Sequence, residues 1–166
     1  MTLYLDTSSL VKLYVTEPDS DAVRRLVGEA TVVATSAVAY AEARAALARL
    51  RRDGTLTAPH LASLKREIDE QWPTFLTLDA TDSLCRAAGA LAEKYRLRGF
   101  DSIHLASFAE VARRAGTDET RFSSFDDKLN QAARKLTRTL ERGDAAIDRA
   151  APGARPPRPA RRPRSS

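Results

Sequence analysis

Four acidic residues in this chain sit where solubility alone does not explain them. Glu42 belongs to the Ala- and Leu-rich stretch Ala37–Arg52, whose pattern is strongly helical. Its neighbours one turn away are Val38, Ala39, Ala45 and Ala46, all small or apolar and none basic. The carboxylate is therefore expected on the helix face that enters the core. There an unpaired charge is costly or takes up a proton, unless a distant Arg, a metal ion or a substrate compensates it. Asp6 closes the apolar run Leu3-Tyr4-Leu5 and precedes Thr7-Ser8-Ser9. Asp126 follows the strand-like Arg121–Phe125, with Asp127 beside it, and Asp101 opens a helical stretch after Gly99-Phe100. Each Asp also has a plain structural reading as a helix N-cap. Taken together, two Asp at strand ends, one at a helix start and Glu42 can converge into an acidic pocket. Hard oxygen ligands without Cys or His suit Mg²⁺ or Mn²⁺.

Other polar residues carry weaker signals. His104 follows Asp101 by one helical turn and can reach the same pocket, but within Ile103-His104-Leu105-Ala106 it reads first as a packed, hydrogen-bonded core histidine. His60 reads as surface and Trp72 as a packing anchor. Lys12, Arg49, Arg51 and Arg52 read first as solvated charges, the arginines being favourable at a helix C-terminus. A rim that contacts RNA is the alternative for these basic residues.

The elements that must position the acids alternate along the chain. Strands are expected at Leu3–Leu5, Thr31–Thr35, Phe75–Leu78 and Arg121–Phe125. Between them lie helices at Thr7–Val15, Asp19–Glu29, Ala37–Arg52, Pro59–Glu70, Thr81–Arg96 and Asp101–Arg114, with a last one from Asp126 to at least Leu136. Ser36 is the expected cap of the Ala37 helix, and Gly99 is expected to end the helix that begins at Thr81. Strands separated by helices imply parallel strands with right-handed crossovers, hence an α/β sandwich whose crevice lies beyond the carboxyl ends of the strands. Asp6 and Asp126 fall at that end.

Composition removes several functional classes. The chain has 166 residues, 43% hydrophobic, which fits one globular domain with a real core. No apolar run approaches a membrane span and no signal peptide leads the sequence, so cytosol is the expected location and no membrane partner is expected. One Cys and two His exclude an internal disulfide framework and argue against a soft-ligand zinc site. Seven Gly and no Gly-rich phosphate loop leave out a nucleotide-binding Rossmann or P-loop protein. The net charge of +5 is local: residues 150–166 hold five Arg, five Pro and no acid, which leaves residues 1–149 charge-balanced. That segment reads as a disordered basic tail, either without a role or weakly attracted to nucleic acid.

Three stretches resemble the PIN domain, more narrowly the VapC-type toxins of prokaryotic toxin–antitoxin pairs. Leu5-Asp6-Thr7-Ser8-Ser9-Leu10-Val11-Lys12-Leu13-Tyr14 is similar to the family's opening. Gly99-Phe100-Asp101-Ser102-Ile103-His104-Leu105-Ala106 is similar to its third-acid motif, and Ser124-Phe125-Asp126-Asp127-Lys128-Leu129 to its closing motif. Glu42 falls between them on the second major helix, and the resemblance covers about residues 1–136. It implies a three-layer α/β/α sandwich around a short, mostly parallel sheet of four or five strands. It also implies that Asp6, Glu42, Asp101 and Asp126 form an acidic quartet. Asp6 and Asp101 would hold the metal, Glu42 and Asp126 would be further or water-mediated ligands, and Ser8 and Ser124 would be secondary polar contacts. The closing motif selects Asp126 over Asp127, because Ser124 lies two before it and Leu129 three after. The charged, helix-like Lys135–Ala150 departs from the family's usual last strand.

The function implied by the resemblance is a divalent-metal-dependent endoribonuclease that hydrolyses single-stranded RNA or RNA loops with metal-activated water. A cognate VapB-like antitoxin would inhibit it, and a homodimer is the expected assembly. The alternative is a catalytically silent PIN-like module that binds RNA or a partner, although all four acid positions are filled. A receiver-like phosphotransfer domain fits poorly, because a single Asp follows the first strand. DNA as substrate stays open, since acids do not read the sugar. If four carboxylates repel one another in the metal-free protein, amide substitution of either Asp101 or Glu42 should raise its melting temperature.

Overall fold

The computed structural model describes residues 1–150, with side-chain environments through Gly143. The basic segment read as a tail falls outside the described residues apart from Ala150. Four strands form one all-parallel sheet in the order β3-β2-β1-β4: β1 Thr2–Leu5, β2 Val32–Ser36, β3 Leu76–Leu78 and β4 Thr120–Ser123. Among the described residues seven α-helices connect and follow them, with a short 3-10 turn at Trp72–Thr74 before β3: α1 Thr7–Tyr14, α2 Ser20–Glu29, α3 Val38–Arg52, α4 Ala58–Gln71, α5 Asp82–Tyr95, α6 Gly99–Ala115 and α7 Asp127–Ala150.

β1 is the central strand, and its side chains divide the core. Leu3 and Leu5 point to one face and pack with Leu10, Val23, Ala43, Leu47 and Ile68 from α1 to α4. Tyr4 points to the other and packs with Leu105, Phe108, Leu129 and Ala133 from α6 and α7. Period-two alternation on a strand buried on both faces thus gives the α/β/α layering. α5 packs outside α6 through Leu84, Ala88 and Ala106.

The strands and helices read from the sequence are all present, with shifts at their ends. Ser36 is not a helix cap: it is the last residue of β2, registered against Leu78. Ala37 donates its N–H to the Leu78 carbonyl at 2.9 Å, so pairing with β3 claims this segment before α3 begins. Gly99 does not end α5. That helix stops at Tyr95, with Arg96 in the left-handed region at φ 55°, and Gly99 instead starts α6. Asp101 is therefore the third residue of a helix rather than its cap. The last helix runs on to Ala150, and the described residues hold four strands, with no fifth. No helix among them is long and apolar enough to cross a membrane.

Candidate active site

The carboxyl ends of β1 and β4 lie side by side, with Leu5 registered to Ser123, and two of the acids leave the sheet there. Asp6 is the N-cap of α1 and is only 5% exposed. Its Oδ1 accepts from the Ser9 N–H at 2.9 Å and from Ser8 Oγ at 2.7 Å, and its Oδ2 accepts from Ser124 Oγ at 2.6 Å. Both serines named from the sequence thus reach Asp6. Each also ties it to the β4–α7 turn: Ser8 Oγ accepts from the Phe125 N–H at 2.8 Å, and Ser124 Oγ from the Asp126 N–H at 3.0 Å.

Asp126 stands exposed at the start of α7, with Oδ1 accepting from the Leu129 N–H at 2.8 Å. The capping geometry belongs to Asp126, and Asp127 is an exposed first-turn residue of α7. Asp101 is half-buried near the start of α6. Burial pushes its carboxyl above the ordinary range, and the negative charges of Asp126 and, more weakly, Glu42 push the same way. The Arg98 charge and backbone N–H oppose the rise without cancelling it. The structure thus brings Asp126 and Glu42 within electrostatic reach of Asp101.

Glu42 has a partner that is neither an Arg nor solvent. Its Oε2 lies 3.0 Å from His104 Nε2 and also accepts from the Thr7 hydroxyl. The hydroxyl lies 3.0 Å from the same Nε2, while His104 Nδ1 lies 3.1 Å from the Tyr4 hydroxyl. A carboxylate only accepts, so Nε2 carries a proton toward Glu42 and the Tyr4 hydroxyl serves Nδ1. Burial alone would raise the Glu42 carboxyl, but the hydrogen bonds from His104 and Thr7, with the electrostatic attraction of His104, outweigh it and hold it low. This corrects the expectation from the sequence that Glu42 carries an uncompensated penalty: its ionised form is favoured, whereas that of Asp101 is not.

His104 is 2% exposed and combines both readings open to it in the sequence, core packing and contact with the site. The sequence by itself does not mark Thr7 or Tyr4 as site residues. The available signals were Thr7 beside Asp6 and the one-turn spacing from Asp101 to His104. Lys12 is a correction, since it is 9% exposed rather than solvated. Its Nζ donates to the Pro18 carbonyl at 2.8 Å, pairs with Glu17 at 3.3 Å and sits 4.4 Å from the Phe125 ring centroid. His60, Arg49, Arg51 and Arg52 are exposed, while Trp72 packs edge-on against Tyr40 and Phe75.

Beside the acids lies an open cavity of ≈ 540 Å³, lined by Glu42, Arg98, Gly99, Phe100, Asp101 and Ile103. Its donors fit a hard cation, since Glu42 and Asp101 offer carboxylate oxygens to it. Among the described residues no three His, Cys, Asp or Glu side chains are placed so that together they could hold a metal ion. Mg²⁺ does not require three, because it keeps several waters and takes only one or two carboxylates.

Comparison with known proteins agrees with this fold. The PIN domain family model matches residues 3–135. The chain is 37% identical over 109 residues to Ribonuclease VapC45 of Mycobacterium tuberculosis (strain CDC 1551 / Oshkosh), spanning 66% of this chain and 76% of that protein. It is 36% identical over 138 residues to Ribonuclease VapC46 of Mycobacterium tuberculosis (strain ATCC 25618 / H37Rv), spanning 81% and 92%. The crystal structure of FitAcB from Neisseria gonorrhoeae shares the fold, with a TM-score of 0.55 at 17% identity over 80% of this chain and 93% of that one. A match across the strands and helices that carry Asp6, Glu42, Asp101 and Asp126, with VapC-type relatives on both counts of identity and coverage, leaves one assignment: the chain belongs to the PIN-domain family.

Proposed function

We propose that the protein is a divalent-metal-dependent endoribonuclease and the toxin of a toxin–antitoxin pair. The observation that carries this reading is geometric: Asp6 and Asp126 leave the adjacent carboxyl ends of β1 and β4, tied together through Ser124, while Glu42 and Asp101 line one cavity. The relatives named as ribonucleases give the reaction class. Asp101 and Asp6 would hold Mg²⁺ or Mn²⁺, with Glu42 and Asp126 contributing directly or through water. Such an ion lowers the pKa of a water and offsets charge at the phosphate. The chain's own work is to keep Glu42 ionised through His104 and Thr7, and to hold Asp6 rigid through Ser8, Ser9 and Ser124.

The same carboxylates would receive a basic side chain of a cognate VapB-like antitoxin, and a homodimer working in the cytoplasm completes the proposal. The test is incubation with labelled RNA in Mg²⁺ or Mn²⁺, in EDTA, and with DNA of the same sequence. Cleavage of RNA that EDTA abolishes is the expected result, and full activity in EDTA overturns the metal mechanism. One observation favours the silent-module alternative: both oxygens of Asp6 are already engaged by hydrogen bonds. That alternative gives RNA binding without cleavage in any metal.

A further inference from the structure

β4 is an outer strand of the sheet, and among the described residues it pairs with β1 alone. Its ladder runs without a bulge from Thr120 to Ser123, and the segment Thr120-Arg121-Phe122-Ser123 holds no Pro. Thr2 donates its N–H to the Glu119 carbonyl at 2.7 Å, and Asp6 donates its own to the Ser123 carbonyl at 3.1 Å. In a parallel ladder this alternation turns the N–H and C=O of Phe122 away from β1, toward the open edge. A straight edge with outward main-chain donors and acceptors is a template for a further strand.

Between this strand and α7 lies a cavity of ≈ 420 Å³, whose lining includes Arg121, Phe122, Arg134, Thr137, Arg138 and Glu141. The α7 residues are spaced three and four apart and so share one helix face. All three arginines are exposed, and none forms an ion pair with another described residue. Three arginines against one glutamate leave the wall positive. Arg134 and Arg138 stand about 12 and 18 Å along α7 from Asp126, so the groove is separate from the acidic centre.

Charge and edge geometry together select the occupant. A second copy that paired β4 with β4 would bring Arg121 against Arg121, which is unfavourable. Residues 150–166 hold five Arg and no acid, so that segment is repelled as well. RNA matches the charge but offers no row of amides and carbonyls to Phe122. An extended polypeptide with acids at alternate positions matches both, because side chains on a strand repeat every two residues.

We propose that the open edge of β4 and the arginine-bearing face of α7 form a docking groove for an extended acidic segment of a partner protein, which adds a strand to the sheet. The groove goes beyond the ribonuclease reading and does not depend on it.

The test is fluorescence anisotropy of the full chain with a short fluorescein-labelled peptide of alternating Glu and Val. Arg134→Ala and Arg138→Ala should each weaken binding about 1.5- to 5-fold, the range for an exposed ion pair, and Arg134→Glu combined with Arg138→Glu should abolish it. Arg49→Ala, at an exposed position on α3, should bind the peptide as wild type does. Melting curves that match wild type exclude misfolding. N-methylation of the peptide separates strand addition from charge attraction, because its Glu amides and its Val amides lie on opposite edges. Methylating one set should weaken binding about 2- to 12-fold per hydrogen bond lost, and methylating the other should not. Absence of peptide binding, equal effects of the two methylated sets, or an equal loss in Arg49→Ala overturns the proposal. An oligoribonucleotide that binds through Arg134 and Arg138 where the peptide does not also overturns it, and assigns the groove to nucleic acid.

Discussion

His104 Nε2 lies 3.0 Å from Glu42 Oε2, so a histidine buried in the core controls a carboxylate that faces the cavity. The imidazole is itself oriented by the Tyr4 hydroxyl at Nδ1, in the manner of an outer partner that fixes a reacting group. His104→Ala should lower the RNA cleavage rate about 10- to 100-fold, the range for loss of such a partner. His104→Gln retains a donor and should lose less. Cleavage time courses at saturating RNA, with melting curves as a folding control, check the order.

Glu42 and Asp101 should respond to neutralisation with opposite signs. The Glu42 carboxyl is held below its ordinary 4.5, so its ionised form stabilises the fold above about that pH and the gain is lost as pH falls through the folded value. The Asp101 carboxyl is raised above its ordinary 3.8, so its cost is fully present above the folded value and absent below 3.8. At pH 7 without metal, Glu42→Gln should lower the melting temperature by about 2–6 °C, while Asp101→Asn should raise it by about 1–3 °C. Scanning calorimetry with EDTA from pH 3 to 7 measures both, and a rise for Glu42→Gln would contradict the His104 pairing.

Mg²⁺ should stabilise the wild type by mass action, about 2.7 kcal/mol at a hundredfold excess over its dissociation constant. Asp101→Asn should gain less, because the amide removes one of the crowded charges. The measurement is the melting temperature of each protein across a Mg²⁺ titration. Equal gains for both would leave Asp101 outside the metal site.

Asp126 and Asp127 are neighbours with different consequences. Asp126→Asn should abolish most cleavage yet retain the fold, because Asn also caps a helix well, whereas Asp126→Ala should cost about 1 kcal/mol in addition. Asp127→Asn should be close to neutral in both respects. Urea melts beside the cleavage assay separate the two effects.

Asp6 requires care of the same kind. Its carboxylate accepts three hydrogen bonds from Ser8, Ser9 and Ser124, and Asp6→Ala would leave those donors without it. The alanine variant should lose about 2–4 kcal/mol of stability, so its inactivity would not distinguish ligand from cap. Asp6→Asn, which retains a capping oxygen, should remain folded and lose cleavage by orders of magnitude.

Local pattern was enough to locate the elements and the acids. The apolar run Leu3-Tyr4-Leu5, the Ala-rich stretch ending at Asp53-Gly54 and the motifs around Asp101 and Asp126 carry their signals within a few residues, because helix and strand periodicity and turn chemistry are short-range. What those residues do to one another was decided by the tertiary structure. Glu42 meets Thr7 across 35 positions and His104 across 62, contacts created only when the crossovers bring α1, α3 and α6 to one end of the sheet. The same packing buried Lys12 against Phe125, drew Ser36 into β2 and gave Glu42 and Asp101 shifts of opposite sign. A carboxylate's energy depends on burial and on the charges around it, and at this site those neighbours come from distant stretches of the chain, beyond the reach of a local pattern.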